Sequence, residues 1–210
     1  GPQTQALRDQ LNAMRDGGTV VMSIPKAPYR CPPGPYERAC VIADFLKRRK
    51  PRSKLVVLDA NADIQAEPIM FHRAFATLYP GRLEYVPNAE VRRVSFEAGR
   101  KLAWISDGIG GETSWAADVL NVIPRNTAAR LAHDTGVVNL NGRWAEVDYM
   151  TFESTVAQNV HVIGDSVQGA PLMPKSGHMA NSQAKVVAAA IVAQMSGWEP
   201  NATPLTNNTC

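Results

Sequence analysis

Apolar and polar positions along this chain follow two rhythms that take turns. Leu7, Leu11 and Met14 recur at helical spacing and share one face, and Gly17-Gly18 marks a stop. Thr19 to Ser23 (TVVMS) is then a short apolar run that predicts a buried strand. A loop carrying Pro25, Pro28, Pro32, Pro33, Gly34 and Pro35 leads to a helix predicted over 36–50, with Ala39, Ile42, Phe45 and Leu46 inward. Lys54 to Asp59 (KLVVLD) predicts another buried strand, 67–79 a helix with Pro68 in its first turn, and Leu83 to Val86 a third strand. Strands that alternate with helices in this way predict a parallel sheet.

The rhythm changes after residue 90. Residues 91–96 and 101–105 alternate more strictly around the turn Glu97-Ala98-Gly99-Arg100, and 113–116 predicts a third strand of an antiparallel meander packed on the sheet. Asp118 to Ile123 (DVLNVI) is again of the buried-strand type. Beyond it come a helical stretch over 127–134, an extended region over 144–151, and a strand Val160–Gly164 ending in Asp165. A Pro/Gly-rich loop then precedes a long helix over 176–195, with Val187, Ala190, Ile191 and Met195 on its inner side and Gly197 as its stop. The fold class expected is α/β: a Rossmann-like three-layer unit with a parallel sheet and a small meander, plus part of a second α/β unit. The boundary is expected near 117/118, giving 1–117, 118–200 and a tail 201–210.

A chain of 210 residues with 45% hydrophobic and 20% charged residues is of ordinary globular composition. A net charge of +3 is too weak to imply nucleic acid, and the basic run Lys47 to Arg52 falls where a helix should end, the end that favours cations. No segment reaches the roughly 18 apolar residues of a membrane span, and no signal peptide is visible. The pattern opens directly in a helix and stops on Cys210 without a closing element, as a piece of a longer chain would.

Candidate chemistry concentrates at two places. The loop after the first strand is where a nucleotide-binding unit carries glycines, so that backbone can approach a pyrophosphate. Prolines stand there instead and remove N–H donors, so a phosphate cradle is not expected. Cys31 sits in this loop, beside Arg30 and just before a helix N-terminus, a setting that favours a thiolate. Cys40 lies nearly opposite its helix's apolar face, on the side of Glu37, Asp44 and Lys47, and reads as passive. Cys210 ends a polar tail. Three cysteines allow three single disulfides, and the sequence alone does not choose among them. The second place is Gly164-Asp165, whose carboxylate can accept bonds from sugar-type hydroxyls, followed by Pro174-Lys175-Ser176-Gly177 and the start of the long helix. That helix N-terminus could stabilise a negatively charged ring. The four histidines show no metal-ligand spacing, so no metal is expected. A Gly-x-Ser-x-Gly elbow is absent. Trp104, Trp115, Trp144 and Trp198 read as core or interface fillers.

Tyr29 to Arg38 (YRCPPGPYER), Thr151-Phe-Glu-Ser154, His161 to Asp165, Met173 to Gly177, Ala180 to Gln183 and Asn208-Thr-Cys210 together resemble the flavin-binding subunit of flavocytochrome c sulfide dehydrogenase. The resemblance runs over nearly the whole chain and about half of that subunit. It implies a periplasmic oxidoreductase that oxidises sulfide and passes electrons through FAD to a c-type cytochrome. It implies Cys31 and Cys210 as the redox pair, with Cys40 as an alternative partner for Cys31. It further implies Asp165, next to Gly164, on the FAD ribityl chain, and the loop Pro174, Lys175, Ser176 and Gly177 facing the flavin. The central unit of that family uses no NAD. The family's own Gly-rich FAD loop has no counterpart in this sequence, so this chain alone is expected to bind FAD poorly or not at all. Alternatives are a sulfide:quinone or NADH flavoprotein reductase, or a binding domain without its cofactor half. A quinone enzyme would need an amphipathic membrane-contact segment, and an NADH enzyme glycines over 24–35.

Overall fold

The computed structural model describes residues 1–106 and 108–208. They divide into two compact units, the first made of 1–27 and 33–125 and the second of 28–32 and 126–210.

The first unit opens with helix α1 (Pro2–Ala13) and strand β1 (Thr19–Ile24), followed by α2 (Gly34–Arg49), β2 (Lys54–Asp59), α3 (Pro68–Leu78) and β3 (Leu83–Val86). After these come the meander β4 (Val91–Glu97), β5 (Arg100–Ser106) and β6 (Glu112–Ala117), and then β7 (Val119–Val122). A four-stranded sheet runs in the order β3-β2-β1-β7, all neighbours parallel. Val20 to Ile24 and Leu55 to Asp59 are buried without alternation, as parallel strands covered on both faces must be. Helix α2 packs against β2 and buries Tyr36, Ala39, Ile42, Ala43 and Leu46. The expected inward Phe45 is only half-buried. From the three-stranded meander, Ala103, Ile105 and Ala117 join Val21, Val56 and Leu58 in one apolar cluster.

β7 corrects the expected boundary. It was read as the opening of the next unit, but it pairs in parallel with β1, from Val20 opposite Val119 to Ser23 opposite Val122. The Thr19 N–H also donates to the Asp118 carboxylate at 2.7 Å. The first unit therefore closes at Arg125. An apolar run shows that a strand is buried but not which neighbour satisfies its backbone groups. Here the chain returns from the meander to the free edge of β1.

At the carboxyl end of β2, Asp59 is fully buried and accepts four hydrogen bonds. They come from Tyr36 Oη at 2.8 Å, Tyr85 Oη at 2.9 Å, Asn61 N at 2.9 Å and Asn61 Nδ2 at 2.7 Å. Asn61 also donates to the Pro25 carbonyl at 3.0 Å and accepts from Ala27 N at 3.0 Å, which pins the start of the proline-rich loop.

The second unit contains the five-residue helix α4 (Arg130–Asp134), the short strands β8 (Glu153–Ser154) and β9 (Ala157–His161), one 3-10 turn (Gly164–Ser166) and the long helix α5 (Gly177–Met195). Its strand content is an antiparallel two-stranded sheet. The strand expected over 160–164 ends at His161 and is largely exposed, so Asp165 sits in the 3-10 turn rather than on a strand end. The extended region expected over 144–151 forms only isolated bridges. Two small cores hold this unit together. One gathers Ala128, Ala132, Val137, Trp144 and Ala145, and the other Val147, Phe152 and Val167 with half-buried Val186 and Val187.

Helix α5 turns inward part of the face expected, Ala190 and half-buried Val187, but not Ile191 or Met195. Met179, Ser182, Gln183, Ala190 and Ala193 are buried, while Met195 is 84% exposed and Ile191 is also exposed. Its second half is apolar nearly all round, so periodicity does not select a face. Polar anchors do: Gln183 Oε1 accepts from Gly164 N at 2.6 Å, and Ser182 Oγ accepts from Asn207 N at 3.1 Å.

Candidate functional site

In the second unit the loop 28–32 lies against the segment that opens α5. The Cys31 N–H donates to the Lys175 carbonyl at 2.8 Å, and Arg30 and Lys175 form a parallel β-bridge. Arg30 N donates to Asn126 Oδ1 at 2.8 Å, and Arg143 Nη2 to the Pro28 carbonyl at 3.4 Å. Cys31 itself has φ +51°, a left-handed conformation uncommon for a residue with a Cβ. It is exposed there, and among the described residues its thiol has no disulfide partner.

Next to this loop stands the 3-10 turn. Gly164 adopts φ +71°, and a Cβ there would come within 3.1 Å of the Ala180 Cβ, so only glycine lets the turn approach α5 this closely. The Asp165 carboxylate is half-exposed, with the Arg30 guanidinium 4.0 Å away. Ser176 caps α5 by accepting from Met179 N at 3.0 Å, and its hydroxyl donates to Asn208 Oδ1. Gly177 begins the helix, exposed, with open space where a side chain would stand. Pro174 is half-buried beside it.

Lys175 departs from the other loop residues because its side chain turns inward, leaving the residue only 4% exposed. Its amine donates to the carbonyls of Asp165, at 3.1 Å, and Val167, and lies 3.7 Å from the centre of the Trp144 ring. Burial pushes this amine down to about 8, against the pull of the Asp165 carboxylate and with a push from Arg143.

The structure thus brings together Cys31, Gly164, Asp165, Pro174, Lys175, Ser176 and Gly177. Cys40 belongs to α2 in the first unit. It is a half-buried free thiol pushed up by burial and by Glu37, away from the reactive range. Cys210 lies outside the described residues. Arg143 and Asn207 were not singled out in the sequence, and Trp144, Gln183 and Asn208 carried no role in the site there. Their role depends on contacts between distant segments, so the sequence showed Trp144 as a core filler and Gln183 and Asn208 only as parts of motifs. Chemically, the site offers a carboxylate acceptor for hydroxyls, the positive end of a 19-residue helix, and a thiol held at that end. Among the described residues no group of three or more His, Cys, Asp or Glu could hold a metal ion, and no helix is long and apolar enough to cross a membrane.

Comparison with solved structures gives the same fold at low sequence identity. The sulfide:quinone oxidoreductase of Aquifex aeolicus superposes with a TM-score of 0.73 and 19% identity, over 93% of this chain and 48% of that one. A chain of the Tetrahymena thermophila mitochondrial ATP synthase gives 0.67 and 17%, over 93% and 47%. The HOCl-induced flavoprotein disulfide reductase of Escherichia coli, as its Cu(II) complex, gives 0.57 and 16%, over 83% and 36%. The chain spans about half, or less, of the length of these structures. Residues 4–124, more than half of the chain, match the family described as sulfide dehydrogenase (flavocytochrome c) flavoprotein chain, central. The chain belongs to this family of flavoprotein oxidoreductases, and its parallel sheet with a separate meander is the fold of that class.

Proposed function

We propose that this chain carries the sulfide-reacting part of a flavocytochrome c type sulfide dehydrogenase, with Cys31 and Cys210 as its redox pair. The observation that carries the reading is the 2.8 Å hydrogen bond from Cys31 N to Lys175 O, which sets an exposed thiol at the segment that opens α5. The tail supports the pairing. Asn207 and Asn208, in the segment that leads to Cys210, bond to Ser182 and Ser176 of α5 and its cap.

The residues present fit FAD. Gly164 permits the close turn, Asp165 offers a half-exposed acceptor for the ribityl hydroxyls, and the Pro174–Gly177 segment with the helix N-terminus suits the ring edge. When bound, FAD would accept an electron pair and release electrons singly to the haem of a c-type cytochrome partner. The 118–200 stretch is accordingly read as the later part of an FAD-binding domain, its Asp118–Arg125 end being folded into the first unit, and 201–210 as a tail carrying the second cysteine.

In the reaction, the sulfur of a hydrosulfide anion bonds to one cysteine sulfur as the Cys31–Cys210 bond breaks. One cysteine becomes a persulfide and the other leaves as a thiolate holding the electron pair. Arg30, beside Cys31, favours approach of the anion. The reading puts the protein in the bacterial periplasm, a compartment where disulfides persist.

The test uses the longest natural polypeptide that contains this chain, loaded with flavin and mixed with a c-type cytochrome. Sulfide is expected to reduce the cytochrome and NADH is not, and Cys31→Ser should lower the sulfide-dependent rate by at least about 100-fold. Reduction by NADH but not by sulfide, or transfer only to a quinone, would overturn the reading.

A further inference from the structure

Lys175 is bonded to the site twice, through two different parts of the residue. Its carbonyl accepts the Cys31 N–H at 2.8 Å, and its amine reaches the Asp165 and Val167 carbonyls beneath the turn that bears Asp165. Neither amine partner is charged, since both are backbone carbonyls, and the Asp165 carboxylate has the Arg30 guanidinium 4.0 Å away. The charged groups that bear on the amine are that carboxylate and the Arg143 guanidinium, whose own centre lies 4.9 Å from the Trp144 ring. The residue is thus held at both ends, by its carbonyl to the cysteine loop and by its amine beneath the turn.

We propose that Lys175 is the positioning residue of Cys31, a latch whose opening frees the cysteine loop and is linked to proton uptake by the buried amine. The inference rests on the reading of Cys31 as a redox cysteine. The sign of the linkage follows from where the amine sits. Closed, it titrates at about 8, and open to water it returns toward the ordinary 10.5. Between these values the open form carries a proton that the closed form lacks. Lowering the pH through that window therefore favours opening, by up to about tenfold per pH unit for one proton. Below about pH 8 both forms are protonated and the dependence flattens.

The test is millisecond hydrogen exchange of the residue 31 amide on the 210-residue chain, without flavin or sulfide, each rate divided by its intrinsic value. Wild-type protection is expected to climb by several-fold to about tenfold from pH 8 to 9.5 and to be flat from pH 6 to 7.5. Lys175→Arg keeps its charge throughout this range and should abolish the slope, and so should Lys175→Met. A contribution from the thiol itself would persist in Lys175→Arg, which separates the two. A flat wild-type profile, or a slope that survives in Lys175→Arg, overturns the proposal. Should Lys175→Met fail to fold, the wild-type and Lys175→Arg profiles still decide. A normal latch in a protein that reduces cytochrome with Cys31→Ser as fast as without it would refute the functional reading alone.

Discussion

Single residues in this protein take roles that their neighbours in space assign. Asp59 is the clearest case. An acidic residue at the end of the second strand of a nucleotide-binding unit ordinarily reads a ribose hydroxyl. Here two tyrosine hydroxyls and both Asn61 donors already occupy it. Its removal takes four hydrogen bonds out of a buried cluster, so Asp59→Ala should destabilise the fold by about 3 kcal/mol or more. Tyr36→Phe should cost about 2 kcal/mol, the value of one bond to a buried carboxylate. Denaturant midpoints measure both, and an Asp59→Ala shift under about 0.5 kcal/mol would show the cluster to be unimportant. The proline-rich loop was legible as unfit for phosphate from its composition. The occupied carboxylate was not legible, because Tyr36, Asp59 and Tyr85 meet only once helix and strands have packed.

At the scale of elements, boundaries were read well and faces less well. α3 starts at Pro68, β2 spans Lys54–Asp59 and α5 ends at Met195, all close to the pattern, since proline, glycine and apolar runs act locally. Of the inner face expected for α5, Ala190 is buried and Val187 packs on the core, while Ile191 and Met195 are exposed, because hydrophobicity surrounds that part of the helix. Ala193 faces the core beside Ala190 instead. Met195→Ala should therefore change stability by no more than about 0.5 kcal/mol, whereas Ala193→Leu should cost about 1–3 kcal/mol by overpacking. Thermal unfolding of the two variants gives the comparison, and a larger loss for Met195→Ala would restore the face expected from size alone.

For the whole molecule, the buried Lys175 amine has a consequence for stability that opposes the common experience of lysine. The unfolded chain holds its proton up to about 10.5, the folded chain only to about 8. Below pH 8 folding bears the full burden of burying the charge, and between the two values stability rises with pH because the unfolded state binds more protons. Measurements from pH 8 to 9.5 stay below the range where Tyr79 and Tyr149, both pushed up by burial, ionise. Wild type should gain stability relative to Lys175→Met across that interval, and parallel curves would contradict it. The sequence by itself determined the order of strands and helices, the proline-rich make-up of the loop after β1, and the residues whose motifs carry the family likeness, because these depend on neighbours within a few positions. Only the tertiary structure decided that β7 returns to β1, that Asp165 sits in a turn pinned by Gln183, and that Cys31 is held by Lys175. Each of those rests on hydrogen bonds between segments 19 to about 140 residues apart, and no local pattern encodes the partner of a bond that long-range packing selects.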